Sequence, residues 1–521
     1  MKRATKKRAP SPIYVSPNQL SFECFQSPFE QNLRIDNRWV VLAKLIPWDE
    51  VCGVYLKNVG ISSTGRPPLS PRIVIGSLII KHLCNLDDRE TVDQISENMY
   101  MQYFLGYPSF SSEPPFDPSL FVEFRKRLGM ENVNQINERI AALRNKVEPS
   151  DNNKKNGDNV DGDNNHVHTE PQNKGRVIFD ATACPQDIAY PTDLDLLSSA
   201  REKSEQLIDL LHDPSLHGNK PRTYRQIARK RYLQTAQKKN KSRKEIRKAV
   251  GRQLHYLRRN IQSINRMLDA YPVIPLEARE YKYMLVINTL YEQQKQMYDN
   301  RTHSVDDRIV SIHQPHVRPI VRGKSQAKVE FGAKIHVSLV DGIAFLDELS
   351  WDAFNEGSYM MDYVEHYKRR FGYYPAEVLA DQIYCTRANR AKLKEMGIKL
   401  LAKPLGRPSA VQFHVRPGER NPIEGKFGQA KTGYGLNRIS ARLKGTSETW
   451  IASIILVLNL VKLAGEALLC LTIWLFESFS AKLNSMTSRY CGYGYNQIFC
   501  LMPSLAVNKT NHKKDEFFSR P

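Results

Sequence analysis

Three acidic residues have the types and positions needed to bind metal ions and act on a phosphodiester. Asp180 and Asp381 each follow a short apolar run, and Glu424 lies in a segment with a helical pattern. Two Mg²⁺ ions about 4 Å apart need hard oxygen ligands and open positions for phosphate and water. One metal then activates the attacking water or hydroxyl, and the other stabilises the leaving oxygen. Three converging carboxylates would supply these ligands, although a lone aspartate after a strand is more often a turn or cap residue.

The elements predicted around these acids form an α/β pattern. An apolar strand begins at Arg176 and ends on Asp180, and a short strand over 377–381 ends on Asp381. With a long helical insertion set aside, the predicted order is three strands, helix, strand, helix, strand, helix. If the two strands that carry the aspartates are neighbours, both carboxylates project from the same edge of a mixed sheet.

The remaining elements follow from alternation, turn and cap signals. Segment 329–350 predicts two antiparallel strands joined at Asp341-Gly342, a typical two-residue hairpin turn. Tyr374-Pro375 should stop the helix that follows, and Gly397 should close the next one. The other predicted elements are helix 356–371, helix 386–396, strand 398–404 and helix 420–443.

The helix around Glu424 carries further polar groups on one face. Arg420, Glu424, Gly428 and Lys431 are spaced i, i+4, i+8 and i+11. The two cations flank the carboxylate and suit phosphate oxygens, and Gly428 would leave room beside the acid. The alternative is a solvated salt bridge on an ordinary surface helix. A glycine inside a helix costs about 1 kcal/mol, which argues for a functional reason.

The positive charge is concentrated in one part of the chain. The 521 residues include 76 Lys and Arg and 55 Asp and Glu, so the net charge is +21. Segment 220–259 alone holds sixteen basic residues and one acid. This favours nucleic acid or an anionic membrane surface as the partner. A solvated helical pair in a basic protein is the plainer alternative.

Basic residues recur at all helix angles, which favours DNA-backbone contacts over a membrane-surface helix. The predicted DNA contacts are Arg229, Lys230, Arg231, Lys238, Lys239, Arg243, Lys244, Arg247 and Lys248.

Composition shifts along the chain predict five regions. Segment 1–15 is a basic disordered arm without the apolar core of a signal peptide, and 16–146 is a set of short helices for DNA binding or dimer contacts. Segment 147–175 is rich in Asn, Asp and Gly and predicts a disordered linker. A catalytic domain over 176–465 contains the basic helical insertion 193–310, and 466–521 forms a C-terminal helix and tail.

Two other classes of protein are disfavoured. Eight dispersed cysteines without a CxxC pair predict neither a zinc ribbon nor a disulfide framework, and indicate a reducing compartment. The apolar stretch 450–476 is long enough to span a bilayer. However, Asn459, Lys462 and Glu466 interrupt it, so we expect one or two buried helices of a soluble core.

These motifs together resemble DDE transposases of bacterial insertion sequences, which have an RNase H-like catalytic core. The family signature is Tyr, two residues, Arg, three residues, Glu, six residues, Lys. Arg420, Glu424 and Lys431 fit this spacing, while Pro417 stands at the tyrosine position. The first two acids resemble the family's aspartates, in VIFDAT and VLADQIY, and the second has Ile383 where the family often has glycine. The resemblance covers about 30–130, which is similar to the family's N-terminal helical domain, and 176–465, including YGLNRISARL.

The resemblance implies a transposase that cuts DNA at the ends of its element and joins them to target DNA. Asp180, Asp381 and Glu424 would bind two Mg²⁺ ions, which Mn²⁺ can replace, and Arg420 and Lys431 would contact phosphates. The helical domain and the insertion would bind terminal inverted repeats within a homodimer in a synaptic complex, in the cytoplasm at the nucleoid. The alternatives are an inactive DNA-binding relic and an RNase H-like nuclease that cuts without joining.

One aromatic residue is a further candidate for nucleic-acid contact. Trp351 follows the third predicted strand and is a candidate for stacking on a base, with a core or ordinary surface position as the alternative.

Overall fold

The structure is a computed structural model that describes residues 33–58, 69–147, 173–321, 329–402 and 418–490. The predicted basic arm, most of the predicted linker and the signature position Pro417 lie outside the described residues. The chain divides into two compact units, residues 1–465 and 466–521.

Short helices make up the N-terminal region. They are α1 (Arg38–Leu45), α2 (Trp48–Asn58), α3 (Pro71–Cys84), α4 (Asp88–Glu97), α5 (Met99–Phe104) and α6 (Leu120–Val147). Asp87 and Glu90 form a capping box at the start of α4. Asn98 then caps α5, so a new helix begins directly after α4. Gly129 interrupts α6 with φ 70° and ψ 160°.

A six-stranded mixed sheet positions the candidate site. Its strands are β1 (Arg176–Pro185), β2 (Arg318–Val321), β3 (Val329–Val340), β4 (Ile343–Ser350), β5 (Glu377–Leu379) and β6 (Lys399–Leu401). They lie in the order β2-β3-β1-β5-β6, with β4 also paired to β3. Strand β1 is antiparallel to β3 and parallel to β5, and β5 is parallel to β6. The predicted hairpin is confirmed: Asp341 and Gly342 have φ 49° and 79°.

Helices connect the later strands and continue the chain. They are α12 (Met360–Phe371), α13 (Arg387–Glu395), α14 (Asn421–Gly433) and α15 (Lys444–Tyr490), with short 3₁₀ turns at Glu356–Tyr359 and Gln382–Tyr384. Helix α12 stops at Gly372, which adopts φ 83°, and not at the predicted Tyr374-Pro375. Gly397 follows α13 with φ 68°, as expected for a closing glycine.

Several predicted element boundaries were wrong. Strand β1 does not end on Asp180, because its antiparallel pairing with β3 continues to Pro185. Strand β5 ends at Leu379, and Asp381 instead caps the following 3₁₀ turn. Helix α14 ends at Gly433, not near residue 443, because Gly435 takes a left-handed φ of 72°. Strand β2 was not predicted at all; its four residues include Pro319, which weakens the strand signal.

The insertion between β1 and β2 is helical, as predicted, and has its own apolar core. It contains α7 (Asp193–Leu211), α8 (Pro214–His217), α9 (Arg225–Ala236), α10 (Arg243–Leu268) and α11 (Ala278–Asn300). Leu197, Leu257 and Leu290 come from three of these helices and are fully buried in one cluster. The core of the insertion therefore forms among its own helices.

The N-terminal helices, the sheet and α15 share another apolar cluster. Within α15, residues 451–460 are all buried. Asn459 donates to Asn137 of α6 and to the Ala344 carbonyl of β4, so a polar residue joins three elements. Among the described residues, only Lys444–Ala467 is long and apolar enough for a membrane span. Its burial matches the predicted core helix.

Candidate active site

Sheet register brings the two candidate aspartates to equivalent positions. In the parallel pair β1–β5, Ile178 lies opposite Leu379. Asp180 and Asp381 each follow two residues later. The two strands are therefore neighbours, as the predicted site requires. Because each aspartate lies two residues beyond a paired residue, the two occupy equivalent positions on the two strands. Asp381 lies just past the end of its strand, where its side chain accepts from the N–H of Gln382 at 2.7 Å.

Arg420 connects the two carboxylates. Its Nη2 lies 3.2 Å from Asp180 Oδ2, and its Nη1 lies 3.2 Å from Asp381 Oδ1. The Asp180 side chain is 20% exposed and that of Asp381 is 56% exposed. Because Arg420 immediately precedes α14, its two charge-assisted contacts connect the start of this helix to β1 and to the turn after β5.

Glu424 lies in the first turn of α14 and is exposed. Its charge affects the pKa of Asp180. Burial raises the pKa of the Asp180 carboxyl above its ordinary value, and the negative charges of Asp381 and Glu424 raise it further. Arg420 and the N–H of Ala181 act in the opposite direction. The structure therefore joins Asp180 and Asp381 through Arg420, and the charge of Glu424 acts on Asp180 from the neighbouring helix.

The donor set suits a hard divalent cation, but the observed arrangement does not enclose one. Carboxylate oxygens are the ligands that Mg²⁺ prefers. Nevertheless, no group of three or more His, Cys, Asp or Glu residues in the described ranges is placed to hold a metal ion. The guanidinium of Arg420 lies between Asp180 and Asp381, where it balances their charge. The carboxylates are suitable ligands for a metal ion, provided that the Arg420 side chain moves out of the space between them.

The other predicted residues of α14 lie on this helix in less constrained surroundings. Lys431 is half-buried and lies in the last turn of the helix. A Cβ added at Gly428 would meet nothing within 4 Å. Space is therefore open at Gly428, and no described part of the protein fills it.

A buried residue after Asp381 anchors the site and was not singled out from the sequence. Tyr384 is fully buried, and its backbone N–H donates to the Asp381 carbonyl at 3.1 Å. Asn389 of α13 donates to the carbonyls of Gly357 and Tyr384 at 2.7 and 2.8 Å. These contacts fix the turn that carries Asp381. The only sequence signal was an aromatic residue three positions after the acid.

A buried polar network behind β1 was also missed. Asp347 of β4 accepts from Arg370 Nη1 at 2.5 Å, and its other oxygen lies 2.9 Å from His336 Nδ1. Burial alone would raise the pKa of Asp347, but Arg370 and His336 lower it well below its ordinary value. Arg370 also donates to Glu138 of α6 at 2.8 Å. His336 pairs with Ala181, next to the first acid, so this network supports the strand that carries Asp180.

The predicted DNA contacts in the insertion are mostly solvent-facing. Those that are exposed are Arg229, Lys230, Arg231, Lys238, Lys239, Arg243, Lys244 and Lys248. Arg231 donates to the Tyr256 hydroxyl, and Lys238 pairs with Glu245. Arg247 is half-buried and donates to the Tyr298 carbonyl at 2.8 Å, which gives it a structural role within the insertion.

Trp351 does not offer a stacking surface. The residue is buried, its indole N–H donates to Glu448 at 2.8 Å, and the edge of His316 packs against it. The core alternative is therefore correct for this residue.

Two regions of the chain match family models of transposases. Residues 27–127 match the family described as Transposase domain (DUF772), and residues 378–461 match a Transposase DDE domain. The second region includes Asp381 and Glu424. The resemblance to DDE transposases of insertion sequences is thereby confirmed for these two regions. Such enzymes act on DNA and generally use divalent metal ions.

A relative among known proteins is also similar to part of the chain. It is the uncharacterized protein ORF8 in the nfe locus of Rhizobium meliloti, with 32% identity over 160 residues. The similar region is 30% of this chain and 64% of the relative, so the chain spans less than two thirds of that relative's length. No solved structure matches the chain.

Proposed function

We propose that this protein cuts DNA at the ends of a mobile element and joins those ends to target DNA. The observation that carries the proposal is the meeting of Asp180 and Asp381 at equivalent register positions, with Glu424 close enough to perturb the pKa of Asp180. These acids come from three separate elements. Packing alone does not account for two carboxylates of neighbouring strands that share one arginine.

We also propose that the sheet domain is RNase H-like. Support comes from the order β3, β4, helix, β5, helix, β6 after β1, with the antiparallel strands first and the parallel ones last. This order matches the sequence-based expectation once β2 and the insertion are set aside.

Asp180, Asp381 and Glu424 are the proposed ligands for divalent metal. Two Mg²⁺ ions, or Mn²⁺ in their place, would supply Lewis-acid activation of water or of a 3′-hydroxyl. Arg420 holds the two aspartates together and would turn towards a DNA phosphate when they take up cations. Lys431, on the same helix, would contact a phosphate near the cut.

The remaining parts of the molecule would bind and align DNA. The exposed cations of the insertion supply a sequence-independent attraction to phosphates. The helical domain within 16–146 would contact terminal inverted repeats, in a homodimer that brings two ends together. The region 176–465 would be the catalytic domain, and the protein would act in the cytoplasm at the nucleoid.

The test is cleavage of a labelled duplex that carries the element's end, with and without Mg²⁺. Asp180→Asn, Asp381→Asn and Glu424→Gln should each lower the cleavage rate at least about a hundredfold, because metal activation supplies several kcal/mol. Asp352→Asn is a matched control, because this acid is 73% exposed and pairs only loosely with Arg318 at 3.6 Å. Undiminished cleavage by any of the three variants would contradict the site.

The same assay separates the alternatives. A nuclease would give cut ends without strand-transfer products when target DNA is supplied. An inactive relic would retain DNA binding and give neither product under any metal condition.

A further inference from the structure

The long helix α10 of the insertion carries a continuous polar stripe. Its members recur at spacings of four and three residues, which places them on one face over about 27 Å. The stripe consists of Lys248, Arg252, His255, Arg259, Gln262 and Arg266. All are exposed except Arg259, which is half-buried. Only Lys248 among them was predicted as a DNA contact, so the structure extends the basic surface well beyond the predicted contacts.

This α10 stripe lies along a groove. Lys248, Arg252 and Arg259 line a concavity of about 670 Å³, whose other side chains include Tyr224 and Tyr298. Arg259 also lines an adjoining concavity of about 560 Å³, together with Gln262 and Arg266. Each volume lies in the range of about 300–1,000 Å³ typical of sites for small organic molecules, a size class that includes nucleotides.

The groove is strongly cationic. Its larger part is lined by Arg231, Lys248, Arg252, Arg258, Arg259 and Lys295, against a single acid, Asp299. That acid is already paired with Lys295. The field in the groove therefore favours a polyanion laid along the helix.

Tyr224 is the aromatic group best placed to receive a base. The guanidinium of Arg259 lies 4.3 Å from the centre of its ring, yet the residue remains 38% exposed. Its backbone is left-handed, with φ 55° and ψ 27°, a conformation that costs energy for a bulky residue. Ile227, in the next turn along the same wall, is 48% exposed. An arginine–tyrosine stack with an open side can be continued by a flat aromatic ligand.

We propose that the α10 stripe binds a single strand of DNA, with phosphates on its cations and a base stacked at Tyr224. The proposal rests on the proposed function, which makes DNA the substrate, and adds the strand form and its place. A duplex keeps its bases stacked on one another and offers only edges and phosphates, so Tyr224 would gain nothing from it. A basic groove with an aromatic platform is the arrangement that binds unpaired strands.

The test measures binding of the full-length protein to a labelled single strand and to the same sequence as a duplex, without divalent metal. Tyr224→Ala should weaken single-strand binding about tenfold and leave duplex binding within twofold. Tyr224→Phe keeps the ring and should bind like the unchanged protein. Tyr281→Ala is the matched control, because Tyr281 is 39% exposed on α11 and does not line the groove.

A second pair of variants tests the stripe. Arg252→Gln with Arg266→Gln should weaken single-strand binding more than Lys230→Gln with Lys239→Gln, which removes two exposed cations outside the groove. Thermal melts would confirm that each variant is folded. Equal losses for single strand and duplex at Tyr224, or no loss at either, would overturn the proposal. The binding measurement is independent of catalysis, because it is made without divalent metal. Failure of the proposed function would instead appear in the cleavage assay.

Discussion

At the scale of single residues, Arg420 has two roles that oppose each other. Its guanidinium joins Asp180 and Asp381 across two strands, and it also occupies the space that a cation would need. Its charge opposes the effect of burial on the pKa of Asp180, which nevertheless stays above its ordinary value. The same positive charge competes with any metal that approaches the two carboxylates.

Arg420→Gln should therefore strengthen metal binding while impairing catalysis. Two adjacent carboxylates without their cation attract a divalent ion more strongly, and we expect about a tenfold gain in Mn²⁺ affinity for the protein without DNA. Titration calorimetry would measure it. Arg438→Gln, which removes an exposed partner of Asp187, is the control. Unchanged Mn²⁺ affinity in Arg420→Gln would show that the arginine does not compete for this site.

His82 gives a second prediction at this scale, on stability against pH. This residue of α3 is almost completely buried, with its ring 5.0 Å from that of Trp450. Burial, followed by the charges of Lys81 and Arg125, lowers the pKa of His82 well below its ordinary value. In the unfolded chain, His82 becomes protonated as the pH falls through about 6.5. In the folded protein, it stays neutral until a much lower pH. Stability is thus lost as pH falls below about 6.5.

His82→Gln should make unfolding less sensitive to acid. The histidine contributes a slope of up to about 1.4 kcal/mol per pH unit below pH 6.5, and the variant lacks it. Urea unfolding at pH 7 and pH 5.5 would measure the difference. His303→Gln, at an exposed position, should keep the original slope. An identical pH dependence for both variants would contradict the assignment.

At the scale of elements, the pairing of β1 with β3 requires close backbone approach. Gly332 of β3 lies opposite Pro185, and a Cβ at this position would collide with the carbonyl oxygen of Cys184. Neither that carbonyl nor the proline can move independently of the strand. This contact helps to explain why β1 extends beyond Asp180, since the glycine lets the ladder continue to the end of the strand.

Gly332→Ala should destabilise the fold by about 1–3 kcal/mol, the usual cost of overpacking. Gly428→Ala is the matched control, because a Cβ there meets nothing and alanine favours a helix by up to about 1 kcal/mol. Denaturant unfolding would measure both. If Gly428→Ala is as stable as expected but cleaves DNA more slowly, the space at Gly428 serves the substrate and not the fold.

At the scale of the whole molecule, charge and candidate chemistry occupy different elements. Asp180 and Asp381 lie on and just beyond two neighbouring strands, whereas the densest positive charge lies on α9 and α10 of the insertion. Since the insertion has its own core, its surface can change without disturbing the strands. We therefore expect its surface charge to control affinity more than reaction rate.

A variant with Arg229, Lys230, Lys239 and Lys244 all changed to Gln should bind duplex DNA more weakly and with less salt dependence. Each lost phosphate contact reduces the slope of log K against log salt by about 0.9. Fluorescence anisotropy from low to physiological salt would measure it. Arg369→Gln, which removes an exposed cation of α12, should leave the slope nearly unchanged. An unaltered slope in the fourfold variant would exclude these residues as phosphate contacts.

The sequence by itself determined the features that depend on local chemistry. Apart from β2, the order of strands and helices in the sheet domain, the Asp341-Gly342 turn and the charged helical insertion were readable, because turns, caps and periodicity act over a few residues. The spacing of Arg420, Glu424 and Lys431 likewise indicated the transposase family.

Only the tertiary structure decided how distant residues meet. The bridge from Arg420 to both aspartates, the buried pair of Asp347 with Arg370 and the groove along α10 depend on strand register and on helices packing across the chain. The length of β1 and the existence of β2 were likewise set by their pairing with β3 and not by their own propensities. Local sequence preferences do not specify such contacts, because the residues that form them are separated by up to hundreds of positions.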